Sequence, residues 1–105
     1  MHEPDTKCYV YSLNYISRFP KTEQELKLKL FEKRFTEEDI EYTLKVLKFK
    51  GFLDDAKFTD MYIHSELVRK GKPVYVVQQK LMLKGIDKSM IQEILAELKQ
   101  RHKSS

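Results

Sequence analysis

Two long stretches of this 105-residue chain carry the same pattern at a constant offset, and this duplication limits the fold more than any other feature of the sequence. Leu26 aligns with Val77, Leu30 with Leu81, Lys33 with Lys84, Phe35 with Ile86, Thr36 with Asp87, Ile40 with Ile91, Leu44 with Leu95 and Leu47 with Leu98. Tyr15-Ile16 pairs with Tyr62-Ile63 once a short insertion is allowed in the turn from Arg69 to Pro73. Any two amphipathic helix pairs joined by loops of equal length would share some apolar positions. Here the coincidence extends to cap residues and helix ends. A unit this small buries little alone, and stacking a second copy against it supplies the missing neighbour.

Three Gly and three Pro punctuate the chain, most of them between apolar-periodic stretches, and they divide it into about six helices. The first runs from Thr6 to Arg18, with Tyr9, Leu13 and Ile16 on one face and Tyr11 and Tyr15 beside them; alternation over Cys8 to Tyr11 also suits a strand, but the length of the segment favours a helix. Thr22 to Glu25 forms a capping box for a second helix whose inward stripe is Leu26 and Leu30, closed by Phe35. Thr36 and the acids after it start a third, with Ile40, Leu44 and Leu47 inward, and Gly51 stops it in a left-handed turn. Asp54-Asp55 caps a fourth, with Phe58, Tyr62 and Met61 facing in, running to the break at Arg69 to Lys72. Pro73 fits the first turn of a fifth, with the stripe Val74, Val77, Leu81 and a β-branched run that weakens it. Gly85 ends that helix and Asp87 caps the sixth, whose buried face is Ile91, Ile94, Leu95 and Leu98; the tail from Arg101 to Ser105 is expected to fray. The expected architecture is all-α: a first three-helix repeat over 1–53 and a second over 54–105.

With 20 Lys and Arg against 16 Asp and Glu the net charge is +4, which suits contact with nucleic acid or an acidic protein surface and equally serves solubility. The single cysteine, Cys8, excludes an intramolecular disulfide, and it is expected to be a small buried residue. No apolar run approaches the ~20 residues that span a bilayer, and the residues Met1 to Asp5 lack the order of a signal peptide. A soluble, unprocessed, cytoplasmic protein is expected.

The chemistry-bearing residues favour binding over catalysis. Asp54-Asp55 is more simply a cap with a dipole-favourable acid than a pair of catalytic carboxylates. His2, His64 and His102 are scattered without metal-ligand spacing, there is no Gly-rich phosphate loop, and no nucleophile–base pair can be assembled, so neither enzyme activity nor cofactor nor metal is expected. Tyr15, Phe35, Phe52, Phe58 and Tyr62 fall on inward faces or turns, where core packing outweighs base stacking, while Tyr11, Tyr42 and Tyr75 are freer. Lys57, Arg69, Lys70, Lys72, Lys80 and Lys84 gather around the fourth and fifth helices. They are the expected partner-binding residues, with a merely solvated face as the alternative.

The stretch Phe49 to Tyr62, with its Gly51-Phe52-Leu53-Asp54-Asp55 turn followed by Lys57, Phe58 and Tyr62, resembles the hallmark of the RecX family of recombination regulators. Thr22, Glu25, Leu26, Lys29, Leu30 and Lys33 are similar to that family's capped Glu-Leu-x-x-Lys-Leu helix, and Gly71-Lys72-Pro73 with Leu81, Lys84, Gly85 and Ile86 to its Gly-x-Pro and Leu-x-x-Lys-Gly-Ile segments. The resemblance covers about residues 11 to 98. It implies a small curved array of three-helix repeats that binds the RecA recombinase in the groove of the RecA–DNA filament and suppresses filament growth, ATP hydrolysis and strand exchange, without catalysis, cofactor, membrane or small-molecule substrate, and with at most weak direct binding to DNA. Family members usually carry a further repeat, so this chain reads as a short member or a fragment. Arg34 stands where the first repeat usually has a helix-ending Gly, and the turn after Tyr62 is poorer in Arg than the family pattern; a shorter, less basic body implies weaker inhibition. A stand-alone helix-turn-helix module in the DNA major groove is the competing reading.

Overall fold

The structure is a computed structural model that describes residues 6–103, with side chains through Arg101. His2 and the other residues before Thr6, the His102 side chain and the Ser104-Ser105 end lie outside the described residues. Among those described the chain is all-helical: α1 (Thr6–Arg18), α2 (Glu23–Glu32), α3 (Glu37–Phe49), α4 (Asp55–Ile63), a π-helical segment (His64–Arg69), α5 (Val74–Leu83) and α6 (Lys88–Lys103). It divides into two compact units between Asp54 and Asp55.

In the first unit the local signals act as their chemistry dictates. The Thr22 hydroxyl accepts from the Glu25 N–H at 3.2 Å while the Glu25 carboxylate accepts from the Thr22 N–H at 3.1 Å, so two otherwise orphaned donors at the start of α2 are satisfied reciprocally. Thr36 accepts from the Asp39 N–H at 3.2 Å, and Glu37, Glu38 and Asp39 sit at the positive end of α3. Leu26, Leu30, Ile40 and Leu47 are wholly buried, joined by Cys8, Leu44 and Leu53. The inward line of α1 differs from the expected stripe. Cys8 and Ser12 are its fully buried residues, and Tyr9, Tyr11, Leu13, Tyr15 and Ile16 pack only partly buried around them. Because α1 packs on both α2 and α3, its closest approach takes small side chains, and the larger ones splay to either side.

The second unit repeats this construction. Phe58, Ile63, Val77, Leu81, Ile86, Ile91, Ile94 and Leu98 form its core, with Tyr62, Leu67, Met90 and Leu95 packed against it. Thr59 is wholly buried where the first unit has Ser12, and its hydroxyl donates to the Asp55 carbonyl at 2.7 Å. The ring pair Phe58/Tyr62, 5.9 Å apart and stacked, matches Tyr11/Tyr15 at 6.0 Å. Met61 and Val74, expected inside, are exposed. Pro73 is not in the first turn of α5 but just before it, with ψ 142°: its carbonyl takes the Val77 N–H at 3.2 Å, so it occupies the cap position that Thr22 holds in the first unit. The residues inserted relative to the first unit are absorbed by the π-helical segment, which widens the end of the fourth helix instead of interrupting it. α6 continues to Lys103, into the tail expected to fray, and Arg101 reaches Asp60 at 3.6 Å.

The second helix of each unit ends in the same way. After α2, the Phe35 N–H donates to the Leu30 carbonyl and the Arg34 N–H to the Phe31 carbonyl, and the same pair of bonds recurs at Ile86/Leu81 and Gly85/Met82 after α5. This closure needs a left-handed residue, which is Gly85 at φ 90° in one unit and Arg34 at φ 67° in the other. Arg34 is the one non-glycine with positive φ among the described residues.

Candidate partner-binding surface

The six basic residues singled out in the sequence all belong to the second unit. Lys57 lies in the first turn of α4, Arg69 ends the π-helical segment, Lys70 caps it, Lys72 follows Gly71, Lys80 is on α5 and Lys84 caps α5. The structure brings Lys70 and Lys72 together on one carboxylate. Glu66, nearly buried inside the π-helical segment, holds Lys70 at 2.8 Å and Lys72 at 3.3 Å through its two oxygens. The Lys70 ammonium, against the opposing effect of burial and with further help from Lys72, keeps the Glu66 carboxyl below its ordinary value of 4.5, so it is charged at neutral pH. The two lysines are therefore partly neutralised and held in place. Arg69 is exposed, and with Lys70, Tyr62, His64 and Met61 it lines a shallow depression over the π-helical segment. Lys84 lies over the Tyr62 ring, 5.7 Å from its centroid, and Lys80 is exposed.

Glu66 escaped sequence reasoning. Its spacing of four from Lys70 is a helical ion-pair signal, but the second partner, Lys72, is in reach only because the chain turns back at Gly71, where the Lys72 N–H closes on the Glu66 carbonyl at 3.0 Å. A second basic and aromatic cluster, in the first unit, was missed as well. Lys21 and Lys29 lie over the Tyr15 ring at 5.9 and 5.8 Å, and Lys33 over Tyr11 at 5.9 Å. Tyr11, expected to be freer, is half-buried between Tyr15 and Phe35. In each of these contacts it is the ammonium group that lies over the ring, and the rings themselves pack against the core of the first unit.

From Leu67 to Ile86 there is no acidic residue, while Arg69, Lys70, Lys72, Lys80 and Lys84 all fall within that span. Among the described residues no group of three or more His, Cys, Asp or Glu is placed to hold a metal ion.

Residues 8–47 match the family model for the RecX first three-helix domain, and residues 54–95 the model for the RecX second three-helix domain. The chain is 35% identical over 97 residues to the regulatory protein RecX of Clostridium acetobutylicum, covering 90% of this chain and 44% of that protein. It is 38% identical over 91 residues to the regulatory protein RecX of Haemophilus influenzae strain PittEE, covering 86% of this chain and 59% of the relative. Among solved structures, a crystal structure of regulatory protein RecX matches with a TM-score of 0.80 at 30% identity over 88% of this chain and 46% of the other. RecX from Lactobacillus salivarius matches with a TM-score of 0.81 at 25% identity over 87% of this chain and 59% of the other. The chain thus spans about half the length of these relatives. Two successive three-helix units, each matched by the corresponding family domain in the same order, show that the chain belongs to the RecX family of regulatory proteins.

Proposed function

We propose that this chain regulates the RecA recombinase: it docks the basic surface of its second unit on the RecA–DNA filament and limits filament growth, ATP hydrolysis and strand exchange, with no chemistry of its own. The observation that supports this beyond family membership is the acid-free run from Leu67 to Ile86, which carries Arg69, Lys80 and Lys84 beside the Glu66-paired Lys70 and Lys72 in a chain whose net charge is only +4. Such a role would be exercised in the cytoplasm, and among the described residues no helix is long and apolar enough to cross a membrane.

The helix-turn-helix alternative would place the start of the third helix of a unit in the DNA major groove. In the first unit that helix begins with Glu37, Glu38 and Asp39, which repel phosphate and disfavour direct reading of duplex DNA by that unit, whereas α6 of the second unit begins with Lys88 and has no acid in its first turn. The test is the rate of single-stranded-DNA-dependent ATP hydrolysis by RecA, with and without a stoichiometric amount of the chain, at two salt concentrations. Suppression that is reduced by Arg69→Glu with Lys80→Glu supports the proposal. These two residues are chosen because replacing Lys70 or Lys72 would also strip Glu66 of its counter-charges. Absence of suppression, together with steeply salt-dependent binding to duplex DNA alone, would favour the helix-turn-helix alternative.

A further inference from the structure

The two units serve as controls for one another, and α2 and α5 differ in the character of their outward side chains. Inward positions of α2 and α5 correspond: Leu26 with Val77 and Leu30 with Leu81, all buried. Two basic positions are kept, Lys29 with Lys80 and Lys33 with Lys84, while Lys27 becomes Gln78. All three carboxylates of α2, Glu23, Glu25 and Glu32, are replaced in α5 by Val74, Val76 and Leu83. With Glu25 and Thr22 gone, α5 has no side-chain cap, and it has no acid in its first turn. The exchange removes a capping box and dipole-favourable charge, and adds β-branched residues that disfavour a helix. Val76 is partly buried and Val74 lines a depression with Leu67, Leu95 and Leu98, so packing within the unit takes up these two, whereas the side chains on the outward face are not in the core. Tyr75 is 66% exposed, Met82 49% and Leu83 81%. At a helical period these three share, with Gln79, the face opposite Val77 and Leu81. The first unit carries Leu28 and Phe31 on its corresponding face, but Gln24 and Glu32 stand where Tyr75 and Leu83 are, so its apolar strip is narrower and bordered by an acid.

We infer that the outward face of α5, centred on Tyr75, Met82 and Leu83 and bordered by Lys80, is a protein-docking face whose partner surface is apolar at its centre and acidic at its rim. The inference rests on the RecA reading and deepens it: the face is the part of the second unit that would seat on a RecA subunit. Charge decides among occupants. A second copy of the face would oppose Lys80 with another Lys80 and offer no carboxylate. Nucleic acid matches the lysines but gains nothing from Met82 and Leu83, whereas a rigid tyrosine with flexible apolar neighbours is the composition of a protein interface core.

The test is binding of the N-terminally labelled full chain to RecA assembled on single-stranded DNA with a non-hydrolysable ATP analogue. It compares the unaltered chain with a Tyr75→Gln, Met82→Gln, Leu83→Gln variant and with Lys80→Glu. Glutamine is a good helix former at exposed sites, and an unchanged thermal midpoint confirms the fold. The expected result is binding at least about tenfold weaker for the glutamine variant, the loss typical when central apolar anchors are removed, and a smaller, salt-dependent loss for Lys80→Glu. If the unaltered chain does not bind RecA, the functional reading and this inference fall together. Equal binding by the unaltered chain and the glutamine variant overturns the inference alone. An equal loss on bare single-stranded DNA or on phosphatidylglycerol vesicles, or self-association that the glutamine variant abolishes, also overturns it, in favour of nucleic acid, a membrane surface or a second copy respectively.

Discussion

Replacing Arg34 by glycine should make the protein more stable, although it removes a complete side chain. Arg34 closes α2 at φ 67°, a conformation in which a Cβ crowds the following carbonyl oxygen at a cost of roughly 1–2 kcal/mol. Glycine removes that cost and adds about 0.5–1 kcal/mol of unfolded-state entropy to be lost on folding. The net gain is about 0.5–1 kcal/mol for the first unit, since the Arg34 side chain makes no hydrogen bond or ion pair among the described residues that would offset it. In a chain of this size that corresponds to a rise of about 2–8 °C in the thermal midpoint followed by far-UV circular dichroism, with a higher denaturant midpoint at unchanged slope. Gly85 provides the reverse experiment. Its φ of 90° is less hospitable to a side chain than that of Arg34, so Gly85→Ala should lower stability by about 1–2 kcal/mol. An Arg34→Gly variant that melts at or below the original midpoint would refute the reasoning, because the strain assigned to that residue would then not exist.

Thr22→Ala, which dismantles the reciprocal cap of α2, should cost about 1 kcal/mol in denaturant unfolding. Leu81→Ala, at a wholly buried site, should cost about 2–5 kcal/mol, read the same way. Ser12 has a wholly buried hydroxyl without a hydrogen-bond partner among the described residues, so Ser12→Ala should leave stability unchanged or raise it by up to about 1 kcal/mol; a clear loss would reveal a bond to that oxygen. Glu66 titrates below 4.5 when folded, so its ion pairs add stability above that pH and lose it as pH falls from 4.5 through the lowered value. Glu66→Gln should therefore flatten the acid limb of a urea-midpoint profile over that range, and a profile parallel to that of the unaltered chain would contradict the assignment.

Much of the architecture was legible because helices two, three and six of the chain present their buried leucines and isoleucines at a clean period, with Thr22, Thr36 and Asp87 marking the starts. Ser12 and Thr59 were not legible: hydroxyl residues do not register in an apolar pattern, yet their small size is what lets α1 and α4 approach their neighbours. Val74 and Met61 were assigned inward because hydrophobicity alone does not distinguish a residue facing the core from one facing solvent. The π-helical segment leaves no periodic trace, so the hub at Glu66 could not be found, and with it the fact that two of the predicted contact lysines already serve a carboxylate. What sequence reasoning did recover of the candidate surface was its charge. Its shape depends on where Gly71 turns the chain back.

Cys8 gives this molecule a built-in reporter. It is the single cysteine of the chain and is completely enclosed by the first unit, so a thiol reagent can reach it only when that unit opens. The rate of labelling under native conditions then measures the opening equilibrium of one repeat while the other is silent. Two halves of common construction, one with its caps intact and the other with an apolar outer helix, can in this way be compared for how often each comes apart, by moving the thiol from Cys8 to a buried site in the second unit.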